Sequence, residues 1–160
     1  LSPALSRIGE YTFFDCGALT SIRLPETIQE IDDCAFYNCS ALDSLMLPAQ
    51  TKIIGKSAFE GCSNLKYVYV GQQMSSIAAN TFEGCTMLYT VLWDAKFYAG
   101  TYPFVDIKSK IKSFIFGENV QHISSLFCDD MSNQTAIMWR ATNYDGTIPL
   151  QKVLKQVLKL

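Results

Sequence analysis

The feature that most constrains this chain is a repeat of fixed length. Cys16, Cys39, Cys62 and Cys85 lie 23 residues apart, and Phe13, Phe36, Phe59 and Phe82 keep the same interval. So do Ile8, Ile31, Ile54 and Ile77, and so do Leu19, Leu42, Leu65 and Leu88. Two more apolar columns follow each Leu: Ile22, Leu45, Val68 and Val91, then Leu24, Leu47, Val70 and Trp93. The interval continues through Ile111, Phe114 and Phe116 to Ile137 and Trp139, so the register is expected to run to about Trp139 without an insertion. Self-similarity at such a period marks a stack of small units, because one unit alone cannot bury its apolar face.

Each unit reads as one coil. The segment Leu-x-x-Ile-x-Leu alternates apolar and polar residues, as a half-buried strand does. Pro25, Pro48, Gly71 and Gly117 follow these strands, which suits residues that punctuate them. Next comes an irregular return holding the Ile column, then Ala-Phe-x-x-Cys, short enough for one helical turn. The residue before each Cys is Asp15, Asn38, Gly61 or Gly84. Those residue types best tolerate a left-handed backbone, so this column is expected to form a tight turn. About seven coils at roughly 4.8 Å per strand make a stack about 30 Å long. Strands are expected near residues 22, 45, 68, 91, 114 and 137, in one parallel sheet.

The stretch from Ile31 to Pro48, Ile-x-x-x-Ala-Phe-x-x-Cys-x-x-Leu-x-x-Ile-x-Leu-Pro in outline, resembles the BspA-like, or treponemal-type, leucine-rich repeat. The likeness is regular over residues 8–93, degenerate over 94–139 and absent beyond about 140. It implies an α/β solenoid: a right-handed leucine-rich-repeat superhelix of 23-residue coils with a parallel β-sheet on its concave face. It also implies secreted or surface proteins of bacteria and mucosal protists, some of them adhesins for host proteins. The domain expected is residues 1–149, closed by an amphipathic capping helix over 150–160. There Leu150, Val153, Leu154, Val157 and Leu158 share a helical face that Lys152, Lys155 and Lys159 avoid. Around Phe97–Phe104 the return becomes aromatic, and a loop repacked into the space left by Gly100 explains it with fewer assumptions than a binding bulge. The chain opens on Leu1-Ser2-Pro3 without a visible signal peptide, as a mature fragment or a trimmed piece would.

Composition narrows the function. Apolar residues make up 49% of the chain and charged residues 18%, which excludes disorder. A net charge of −2 with both signs scattered leaves no footprint for nucleic acid. No apolar run approaches the roughly 18 residues of a membrane span, and membrane contact is not expected. A pairing of His122 with Cys128 as base and nucleophile lacks an orienting third group. Asp32-Asp33 and Asp129-Asp130 lack the dense oxygen pattern of a calcium loop and read as solvated turn acids. A column of single cysteines cannot converge on zinc, so Cys16, Cys39, Cys62 and Cys85 are expected reduced and buried, with Cys34 off the column. No cofactor, metal or catalytic residue is expected.

Strand parity points to the functional surface. If Ile22 and Leu24 face inward, the residues between and before them face outward. One outward column is Ser21, Ser44, Tyr67, Thr90, Ser113 and Ala136; the other is Arg23, Met46, Tyr69, Leu92, Ile115 and Met138. The second is far more apolar than a solvated strand face. With Tyr67 it makes a patch of about 400 Å² or more, a size at which exposed apolar surface marks an interaction site. The sequence therefore predicts a non-catalytic, secreted or surface module that binds a protein, such as a host surface or matrix protein, through Arg23, Met46, Tyr67, Tyr69, Leu92, Ile115 and Met138. The alternative is a spacer or self-association domain of a larger surface protein.

Overall fold

The computed structural model of the chain describes residues 1–124, Phe127 and 137–142. The strand expectation is met near residues 45, 68, 91, 114 and 137. A main sheet is built from β3 (Ser44–Met46), β5 (Tyr67–Val70), β7 (Thr90–Trp93), β9 (Ser113–Phe116) and β11 (Ile137–Trp139), all parallel and adjacent in that order. Partners are 23 residues apart throughout: Leu45 pairs with Val68, Val68 with Val91, Val91 with Phe114 and Phe114 with Ile137. A second set of two-residue strands carries the Ile column. β1 (Arg7–Ile8), β2 (Glu30–Ile31), β4 (Ile53–Ile54) and β6 (Ser76–Ile77) form one parallel sheet. β8 (Phe97–Tyr98) and β10 (His122–Ile123) form another. The result is a parallel-sheet β-solenoid whose core is the space between the main sheet and these outer strands.

The core is a set of continuous columns. The rings of Phe13, Phe36, Phe59 and Phe82 stack nearly parallel, with centroids 4.9, 5.1 and 5.8 Å apart. Offset stacking adds to what their burial alone contributes. Beside them the cysteines do more than fill space. The thiols of Cys39, Cys62 and Cys85 donate to the carbonyls of Phe13, Phe36 and Phe59 in the coil before, at 3.1–3.3 Å. All three are fully buried, whereas Cys16, expected to be buried with them, is half-buried; the described cysteines are free thiols. Burial, helped by the neighbouring thiol, raises the Cys39 thiol to about 11 and the Cys62 thiol to about 12.

Two corners bend each coil. The expected left-handed column is present: φ is 55° at Asp15, 56° at Asn38, 75° at Gly61 and 73° at Gly84. Four residues earlier stands a second left-handed column, Tyr11, Cys34, Ser57 and Asn80, with φ between 55° and 60°. The sequence hides this one, since Tyr, Cys and Ser are poor candidates for that conformation. It also explains why Cys34 is off the packing column: it is a half-exposed corner residue.

The second column explains where the regular repeat fails. Its next member is Pro103, whose ring fixes φ near −65°. The next member of the first column is the β-branched Ile107. Neither bend can be repeated, and the chain instead makes a 3₁₀ turn over Val105–Ile107. The coil compensates with aromatic residues. Phe104, not Val105, stacks on Phe82 at 4.8 Å, one residue short of the period, while Val105 is left exposed. Tyr98 takes the Ile position opposite Ile123, with a separation of 25 residues, and its ring covers Gly100. Tyr98, Tyr102 and Phe104 are all buried, so the aromatic loop is a repacked core. The expected unbroken register therefore holds across the main sheet but not on the outer side of this coil.

Four other expectations are corrected or fall outside the described residues. No strand forms around residue 22, and Ile22 there is half-buried. Instead of a helical turn, the Ala-Phe-x-x-Cys corners are closed by three-residue bonds such as Cys39 N–H to the Phe36 carbonyl. Over residues 1–124 the 3₁₀ turn is the only helical stretch, so the α part of the expected α/β class is not seen there. The capping helix expected over 150–160 lies outside the described residues.

Two outcomes test this core. Phe59→Ala should cost about 3–5 kcal/mol in urea denaturation, since the ring is enclosed between two others. The buried thiols should keep their protons in the folded state after the unfolded chain begins to lose them near pH 9. Stability should thus be level below pH 9 and fall as pH rises toward 11. Native-state alkylation followed by mass spectrometry should label Cys34 before Cys39, Cys62 and Cys85.

Candidate functional site

The main sheet has an outward face, and its register decides what that face carries. Val68, Val70, Val91, Trp93, Phe114 and Phe116 point into the core and are buried. The residues between them therefore point out. Pairing places Met46 beside Tyr69, Tyr69 beside Leu92, Leu92 beside Ile115 and Ile115 beside Met138. Five of the residues expected from parity thus form one row across all strands of the sheet. Met46 and Met138, at its ends, are 56% and 50% exposed. Tyr69, Leu92 and Ile115 are half-buried, because each lies between two neighbours of the row. A parallel row of hydroxyls runs alongside: Ser44 pairs with Tyr67, Tyr67 with Thr90 and Thr90 with Ser113. Tyr67 is half-buried in that row, and burial raises its phenol above the usual range. Ala136 lies outside the described residues.

Arg23 is not part of the row. It is exposed in a segment that forms no strand, and it lines an opening with Leu1, Pro3 and Glu26. The other polar candidates are spread over the molecule. His122 lies in β10 opposite Phe97, and Cys128 is outside the described residues. Asp32 binds the Arg7 guanidinium at 2.7 Å, and Asp33 accepts the Lys56 N–H at 2.7 Å. These two acids tie coils together rather than simply facing solvent. Asn38 donates its side-chain amide to the Asp15 carboxylate at 2.8 Å. Among the described residues no group of His, Cys, Asp or Glu could hold a metal ion. Among them, too, no helix is long and apolar enough to cross a membrane.

One functional neighbour escaped the sequence reading. Asp94 follows β7 in the column otherwise held by Pro25, Pro48, Gly71 and Gly117, and that mismatch was its signal. It is only 6% exposed. Its carboxylate accepts the Asn119 backbone N–H at 3.1 Å and the Asn119 side-chain amide at 2.8 Å. The Tyr69 hydroxyl donates to it from the coil before, at 3.4 Å. Asp94 thus clamps three coils at the rim of the apolar row and holds the Tyr69 ring in place. Burial, and after it the charge of Asp94, raises the Tyr69 phenol above its usual range. The carboxylate lies over Gly117, where any Cβ would collide with it. A small polar recess of about 170 Å³ opens here, with Leu92 and Arg140 on its walls.

The chain belongs to the BspA-type leucine-rich repeat family, whose model matches residues 6–135 in six copies. No curated protein sequence matches the chain. Solved structures share the fold. A leucine-rich repeat protein of Bacteroides ovatus is 26% identical, with a TM-score of 0.53, over 74% of this chain and 37% of its own length. The pneumococcal vaccine antigen PcpA is 21% identical, with a TM-score of 0.56, over 78% of this chain and 29% of its own. The leucine-rich repeat protein of T. pallidum is 18% identical, with a TM-score of 0.50, over 86% and 83% of the two chains. The chain therefore spans about a third of the first two relatives.

The Asp94 clamp makes a specific forecast. Gly117→Ala should cost about 1–3 kcal/mol by urea denaturation, as overpacking against a fixed group does. Glu118→Ala, next to it and exposed, should stay within about 0.5 kcal/mol.

Proposed function

We propose that this chain is a non-catalytic module that binds a protein partner through the outward face of its main sheet. The observation that carries the reading is the row Met46–Tyr69–Leu92–Ile115–Met138, set in register across every strand of that sheet. Apolar surface on a strand face costs solubility unless something covers it. Met and Tyr are enriched at the cores of protein interfaces. A ladder of short strands also holds its side chains at fixed spacing, so little ordering cost is added on binding. In this reading the coils wind right-handed, and the main sheet lines the concave face.

Location and partner follow from the family. Membership in the BspA type and a fold shared with a pneumococcal vaccine antigen support a secreted or surface-displayed protein of a bacterium. The partner of such a module is a host surface or matrix protein, and the activity is adhesion. The hydroxyl row of Ser44, Tyr67, Thr90 and Ser113 supplies the polar contacts that fix orientation beside the apolar anchors.

The test is binding of the purified chain to a panel of extracellular-matrix and mucosal proteins by biolayer interferometry. Met46→Glu with Met138→Glu is the informative variant, since both side chains are half exposed and hold no clamp. It should unfold at nearly the same temperature and lose affinity by roughly tenfold or more, about 1.4 kcal/mol. Binding that survives this variant would place the site elsewhere. A dimer in light scattering that the variant dissolves would assign the face to self-association instead.

A further inference from the structure

The main sheet carries a third row, set just before its strands. Asp43, Lys66, Tyr89 and Lys112 follow one another at the repeat interval. Each later member donates its backbone N–H to the carbonyl of the one before: Lys66 to Asp43 at 2.8 Å, Tyr89 to Lys66 at 3.2 Å and Lys112 to Tyr89 at 2.9 Å. The four are therefore held side by side at the strand spacing, about 4.8 Å. Asp43, Tyr89 and Lys112 are exposed, and Lys66 is half-buried.

This row borders the face already described. Tyr67, Thr90 and Ser113 come one residue after it. Tyr69, Leu92 and Ile115 come three residues after it, about 10 Å along the strand. The row changes sign from one end to the other. Asp43, at the Met46 end, accepts the Ser44 hydroxyl at 2.9 Å. Lys66 and Lys112 border the Tyr69 and Ile115 strands, and the exposed Lys110 adds a third cation two residues before Lys112. Among the described residues these three lysines have no acidic partner, and both ion pairs there are made by Arg7. A chain of net charge −2 thus keeps an uncompensated cationic edge along one side of its apolar row.

We infer, resting on the reading of the outward row as an interaction surface, that its partner is acidic: a protein segment whose apolar side chains are bordered by Asp or Glu on the side toward the strand starts. Charge complementarity selects this occupant. Lysine is scarce in interface cores and belongs to the solvated rim, where it steers and orients a partner more than it adds affinity. Asp43 repels the same acids at the other end, so the row fixes which way round the segment lies. A sulfated glycan could meet the lysines, but it has no apolar side chains to cover Met46, Leu92 and Ile115. A second copy of this chain would bring one acid of the row, Asp43, against three lysines.

The experiment measures association of the purified chain, by biolayer interferometry, with immobilised peptides that share one leucine pattern and differ in its border: glutamate, serine or lysine. At low salt the glutamate peptide should associate about tenfold faster than the lysine peptide, and about 0.5 M NaCl should remove most of that difference. Lys66→Glu with Lys112→Glu should invert the order, and Asp43→Lys should speed the glutamate peptide further. Both variants should unfold at nearly the temperature of the parent chain, as surface changes do. Equal rates for the three peptides would rule out an acidic partner and leave the interaction face standing. Binding of none of them would also rule it out, while the matrix-protein panel still judges the face itself. Capture by heparin that the lysine variant abolishes, with the peptides indistinguishable, would assign the edge to a sulfated glycan instead. A dimer in light scattering that the lysine variant dissolves would give the face to a second copy and overturn the assignment.

Discussion

Everything in this protein depends on one contact repeated: a coil laid flat on the coil before it. Parallel strands fix the spacing, stacked phenylalanines fill it, and buried thiols bond across it to the next carbonyl. None of these contacts exists within a single coil. A solenoid of this kind therefore gains stability one interface at a time. The cysteine column also shows why sulfur is used: a thiol is small and apolar enough for the core, yet still supplies a weak donor to a carbonyl.

The same stacking creates the candidate site as a by-product of order. Strand side chains alternate, so every inward column that builds the core generates an outward column at the same period. In most coils of a soluble protein that outward column is polar. Here it is Met, Tyr, Leu, Ile and Met, while the neighbouring column carries mostly hydroxyls. Asp94 departs from the Pro/Gly pattern at the edge of this row and spends a buried carboxylate on holding Tyr69 and Asn119. Natural sequences tend to break a local rule where function needs it. The clamp stands beside the row, and it stiffens the middle of the face.

The legible parts of the fold were those in which one residue type decides one position. The Ile, Phe, Leu and Cys columns gave the coil, its sheet and its register. Asp15, Asn38, Gly61 and Gly84 gave one corner. The other corner was hidden, because Tyr11, Cys34 and Ser57 are held left-handed by the stack rather than by preference. With that corner unseen, Pro103 could not be recognised as the residue that ends the regular repeat. The exchange of Val105 for Phe104 and the rise of Tyr98 into the Ile column follow from that bend, and bend geometry is not written in apolar periodicity. Parity identified the outward row, but not that Arg23 would be left off it by an unformed strand. Asp94 was visible only as a mismatch until its partners from three coils were seen together.

The central claim is that the outward row is in register and open while the inward columns are closed. Methyl NMR with a soluble paramagnetic probe tests it directly. The methyls of Met46, Leu92, Ile115 and Met138 should relax strongly, and those of Leu45, Val68 and Val91 should be shielded. The reverse pattern, or equal relaxation of Leu92 and Val91, would contradict the strand parity on which the interaction face rests.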